Sequence, residues 1–209
     1  MNHTPLFQVI DDLRHFIEYT LLTGFTPEDE LVDAAVGAFT GAAPEATLRP
    51  YALKLAGEIA QAQKVMRRGW PEHTDCDRLD AAFEQLKQSG ILSRQHFTCC
   101  GTCGAFEMQD EIARSLSLGE RTRGYVFYHE QDTESAVDGY GLYLSYGATE
   151  AGEAAALGVA EEIVDALHRA GLKTRWNGKW SARIWVDLEW RRRPPVAEAE
   201  APMQLVLLH

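Results

Sequence analysis

The chain has 209 residues, 45% hydrophobic and 24% charged, which suffices for one domain with an appendage or two small ones, and for a real core without disulfide staples. That composition excludes global disorder. A formal net charge of −11 repels polyphosphate, so nucleic acid and anionic membranes are excluded as first partners and a small molecule or a protein partner fits better.

The opening stretch MNHTPLFQVIDDLRHF has no basic segment leading into an apolar run, and no apolar run reaches membrane-spanning length. A cytoplasmic location is expected. Thiols stay reduced there, so crowded cysteines read as metal-binding, catalytic or buried before they read as disulfides.

The first third reads as helices. Thr4 and Pro5 open a run in which Leu6, Ile10, Leu13, Ile17 and Leu21 repeat at helical spacing until Gly24. Thr26 and Pro27 begin a second run that Gly41 ends, and a third helix is expected over about 47–68, with Leu53, Ile59 and Val65 inward and Pro50 in its first turn. After the break at Gly69 and Pro71, Thr74 or Asp75 caps a helix with Leu79, Phe83 and Leu86 on its core face. ILSRQHF predicts a strand, and the cysteine block then opens a helix over about 104–116. GYVFYHE predicts a strand, DTESAV a short helix and GLYLSYG another strand, before a longer helix from Thr149 to Gly171. Asn177-Gly178 between two alternating runs predicts a β-hairpin, with Ile184, Val186 and Leu188 on one face.

The fold expected is therefore α+β or α/β: a helical N-terminal region over 1–69, then a mixed β-sheet packed with helices over 70–193 and ending in a hairpin. Residues 194–209 are expected to form a flexible tail.

Chemistry concentrates in HFTCCGTCGAFEMQDE, where Cys99, Cys100 and Cys103 fall within five positions. A CxxC pair at a helix start suits thiol redox chemistry, because helix-end N–H groups stabilise the first thiolate. A thioredoxin domain proper also needs a cis-proline beside the pair, and no proline lies between Pro71 and Pro194. CGTCG equally has the shape of a zinc knuckle. A closed site needs four ligands, and His73 with Cys76 can complete one with Cys100 and Cys103, zinc being the cofactor implied; His96, Cys99 and His129 are further candidates. A third reading pairs Cys99 or Cys100 as nucleophile with His129 as base. Against these stands plain burial, common for free cysteine.

Asp75, Asp77 and Asp80 resemble a cation site but suit a helix N-terminus better. Asp132 is expected to cap the short helix, and Arg191–Arg193 to be a solvated sheet end. The segments TDCDRLDAAFEQLKQSGILSRQHFTCCGTCG, GYVFYHEQDTESAV, GLYLSYG and RIWVDLEWRRR, spanning about Trp70 to Arg193, resemble a family of uncharacterised bacterial proteins known as a domain of unknown function, marked by FTCCxTCG and FYHEQDTE blocks. The resemblance implies no activity, and that the cysteine block and the His129–Asp132 loop form one module. The expectation is a binding or regulatory module whose cysteine cluster is structural and zinc-holding, with a thiol-dependent enzyme as the alternative.

Overall fold

The computed structural model describes residues 4–195, so the expected tail lies mostly outside the described residues. The chain divides into two compact units, the first made, among the described residues, of 4–69 with 193–195 and the second of Trp70–Arg192.

The first unit is three helices, α1 (Leu6–Thr23), α2 (Leu31–Phe39) and α3 (Glu45–Arg67). Gly24 ends α1 at φ 71°, the left-handed cap that glycine adopts without strain. The second helix starts later than its Thr26-Pro27 signal, at Leu31, with no side-chain cap. In α3 the inward face is Leu48, Ala52, Leu55, Ala56 and Ile59, while Leu53 and Val65 are exposed. Two of those five core positions are alanine, which carries little hydrophobic signal, so the larger side chains misdirect the reading of the face. The helix begins at Glu45, which puts Pro50 in its second turn, where it removes an intrahelical hydrogen bond.

The second unit is a five-stranded mixed sheet in the order β1-β2-β3-β5-β4, built from β1 (Ile91–Arg94), β2 (Gly124–Phe127), β3 (Leu142–Ala148), β4 (Lys173–Arg175) and β5 (Ile184–Asp187). Only β1 and β2 are parallel; α5 (Gly101–Ser117) makes the crossover that a parallel pair requires. The other helices are α4 (Asp75–Gln88), α6 (Glu130–Val137) and α7 (Glu153–Arg169).

Side-chain alternation along β2 sorts the layers. Tyr125 and Phe127 join Leu92, Phe97, Met108 and Ile112 in a cluster with α5. Gly124 faces the other way, where an added Cβ would lie 2.6 Å from Val159 of α7. On the α5 side Gly104 is required, because a Cβ there would lie 2.5 Å from the Phe127 ring.

Strands β4 and β5 pair as an antiparallel hairpin with Arg175 opposite Trp185. Residues 176–183 connect them, so Asn177-Gly178 sits inside a longer loop and not in a two-residue turn. Beyond β5 the chain returns to α4: Arg191 N–H donates to Cys76 Sγ at 3.4 Å, and Arg192 makes a two-point pair with Asp80 at 2.7 and 3.0 Å. Arg192 is thus largely buried in a clamp rather than part of a solvated basic cluster. The three aspartates of α4 are all engaged structurally. Asp77 forms a capping box with Thr74, Asp75 holds Arg78 and the Glu189 N–H, and Asp80 holds Arg192.

Candidate functional site

The connections leaving the C-terminal ends of the parallel strands β1 and β2 each lead into a helix, which is where α/β sheets place their sites. In the first connection His96 and Thr98 adopt left-handed φ values of 51° and 63°. For a β-branched residue this is strained, by on the order of 1–3 kcal/mol. Bonds to the second connection hold it in place. Phe97 N–H donates to Tyr128 O at 2.8 Å, Glu130 N–H donates to Thr98 O at 3.0 Å, and His96 Nδ1 lies 2.9 Å from Thr133 Oγ1. The HFTCC and FYHEQDTE segments are bonded to each other along this stretch.

The turn so held presents Cys99, Cys100 and Cys103 together, their sulfurs all within 4.8 Å of one another and Cys99 Sγ 3.6 Å from Cys103 Sγ. Helix α5 begins three residues earlier than its sequence signal, with Cys100 as N-cap in an extended conformation. A hydrogen bond from the Cys103 N–H, followed by one with the Cys103 side chain, holds the Cys100 thiol below its ordinary range. Cys103 moves the opposite way, pushed up to about 11 by its hydrogen bonds with Cys99 and then Cys100. Cys99 and Cys103 are exposed and Cys100 is half-buried, so the cluster faces solvent.

This spacing suits a thiophilic ion. Two sulfurs each about 2.3 Å from one tetrahedral zinc stand about 3.8 Å apart, close to the Cys99–Cys103 separation. Three close cysteines that can hold a metal are what the fold assembles, and no histidine or carboxylate among the described residues joins them.

His73 and Cys76 are not brought into this group. The Thr74–Asp77 capping box sets the phase of α4 so that Cys76 points inward with Leu79 and Phe83, leaving it 1% exposed, while His73 precedes the cap and is exposed. Burial pushes the Cys76 thiol up to about 11. Sequence proximity suggested an HxxC pair; helical phase separates its members.

His129 has a structural task beside the cysteines. It is the N-cap of α6, with Nδ1 accepting from the Asp132 N–H at 3.2 Å while Asp132 Oδ2 accepts from the His129 N–H at 3.1 Å. Asp132 is therefore in a reciprocal capping box, as the third residue of the helix, and also pairs with Arg183, a partner 51 positions away that no local pattern announces. An accepting Nδ1 leaves the ring proton on Nε2, which lies 3.0 Å from Asp132 Oδ2. Burial, the largest influence, holds the imidazole below its usual pKa. The ring lies against Gly101, where a Cβ would come within 3.4 Å of Nε2. Helix N–H groups and the neighbouring thiols are what lower Cys100.

No helix among the described residues is long and apolar enough to cross a membrane. In comparisons with known proteins, a family model described as a domain of unknown function, DUF6891, matches residues 7–194, extending through the helical region that the quoted blocks leave out. No curated protein and no solved structure matches.

Proposed function

The chain belongs to the DUF6891 family, and from that premise we propose that its second unit is a metal-binding module in which Cys99, Cys100 and Cys103 hold a thiophilic ion, zinc before others, at a solvent-facing site. The observation that carries this reading is the gathering of three sulfurs within 4.8 Å on one strained, well-braced turn. Structural zinc sites are closed by four protein ligands, whereas three cysteines leave one position for water or for a group brought by a partner. The reading is thus of an exchangeable or regulatory metal rather than a scaffold ion, with the Cys76 and His73 ligands set aside.

A second reading is favoured by one observation, the opposite displacement of Cys100 and Cys103. In a thiol-dependent enzyme the more acidic N-cap thiolate attacks a disulfide and the less acidic partner resolves the mixed disulfide. One experiment separates the two. The untagged protein, purified under reducing conditions, is assayed for metal and for reactive thiols before and after chelation. Near-stoichiometric zinc, with three thiols unmasked by chelation and metal lost in Cys99→Ser and Cys103→Ser, supports the metal module. Metal-free protein whose Cys100 and Cys103 oxidise readily to a disulfide supports the enzyme, and metal-free protein with inert thiols refutes both.

A further inference from the structure

On the second unit, apart from the cysteine turn, a pocket of about 410 Å³ is bounded by β2, β3, the start of α7 and the β4–β5 loop. We propose that it binds a small alkylammonium ligand. The pocket's lining residues include the aromatics Tyr125, Tyr146 and Trp180, the two tyrosines reaching it from opposite faces of the sheet, and the acids Glu150 and Glu153, with no lysine or arginine among them. Aromatic faces carry negative potential that attracts a desolvated cation, and flanking carboxylates reinforce that sign. A neutral ligand would gain from the rings alone.

Two of the three aromatics are held by something identifiable. The Tyr125 ring lies over Gly147, where an added Cβ would approach its Cζ to 2.6 Å, so the glycine is what lets the phenol lie against the sheet. Its hydroxyl has no hydrogen-bond partner among the described residues. Tyr146 Oη donates to Lys179 O at 3.2 Å, which fixes the loop that carries Trp180 to the rim. Trp180 is 59% exposed, and its indole N–H makes no hydrogen bond among the described residues. Glu150 and Glu153 have no ion-pair partner among the described residues either. Acids at a helix start are ordinary; acids sharing a pocket with three rings and no counter-charge make a cation-selective one.

The test is isothermal titration of the full-length protein with choline and with 3,3-dimethylbutan-1-ol, the neutral molecule of nearly the same shape. Saturable choline binding is expected, with the neutral molecule about tenfold weaker or more. Trp180→Ala removes an exposed side chain, so the fold should persist by circular dichroism while choline binding falls about tenfold. The double variant Glu150→Gln, Glu153→Gln is expected to narrow the preference for choline over its neutral counterpart. Equal affinity for the two molecules, no saturable choline binding, or unchanged binding in Trp180→Ala overturns the proposal.

Discussion

Cys76 and the Cys99–Cys103 turn belong to the same compact unit and carry the same functional group in opposite settings. The first sulfur is sealed in α4, accepts a backbone N–H from Arg191, and is made less acidic by burial. The others stand at an open helix start, where N–H groups draw Cys100 toward its thiolate. Helical phase accounts for the difference. At the second position of α4 a side chain points into the core below its cap, whereas Cys100, the N-cap of α5, is only half-buried. Reactivity of a cysteine is thus fixed by its place relative to a cap more than by its neighbours in sequence.

The largest expected effect is kinetic. Alkylation of the native protein should label Cys100 and its neighbours quickly and reach Cys76 only through unfolding, a difference of roughly a thousandfold or more if opening follows global stability. Peptide mapping after timed exposure to iodoacetamide checks it, and equal labelling of Cys76 would break the contrast. Next in size, Cys76→Ser replaces a buried thiol by a smaller, more strongly hydrated hydroxyl and should lower unfolding free energy by about 1–3 kcal/mol in urea.

A smaller effect concerns pH. His96 and His129 are both held below their ordinary pKa, with burial the leading cause. The folded state then binds fewer protons than the unfolded one, so their stabilisation is complete above the unfolded value near 6.5 and is lost as pH falls toward the lowered values. The melting temperature should decline from pH 7 to 5, and the slope should flatten in His96→Asn, His129→Asn, since asparagine tolerates a left-handed backbone and serves as an N-cap. The smallest effect is at the surface. Cys99→Ser and Cys100→Ser should change metal-free stability by no more than about 0.5 kcal/mol, serine being a good cap for α5, while removing metal binding.

Much of the fold was legible because periodic apolar residues and caps are local signals. Leu79, Phe83 and Leu86 are buried as their spacing predicts, and the strand-helix alternation from Ile91 to Gly171 is present. What was not legible depended on partners far away. The inward face of α3 rests on alanines, the clamp of Arg192 on Asp80 spans 112 positions, and the pairing of Asp132 with Arg183 spans 51. At the site the cysteines were legible as a group, but Cys100 as a cap was not, because Cys-Gly-Thr-Cys-Gly has the composition of a loop. The phase that turns Cys76 inward was legible, since Thr74 reads as a cap and Cys76 lies three and seven positions before Leu79 and Phe83.

The three clustered thiols occupy positions 99, 100 and 103 of one continuous segment, whereas a site using Cys76 would have spanned two distant ones. A ligand set that short exists in the unfolded chain as well. Free energy of binding contributes to folding only by its excess in the folded state, so the ion is expected to raise the melting temperature little. If the proposed ion binds, its occupancy would track the supply of free metal and not the integrity of the fold.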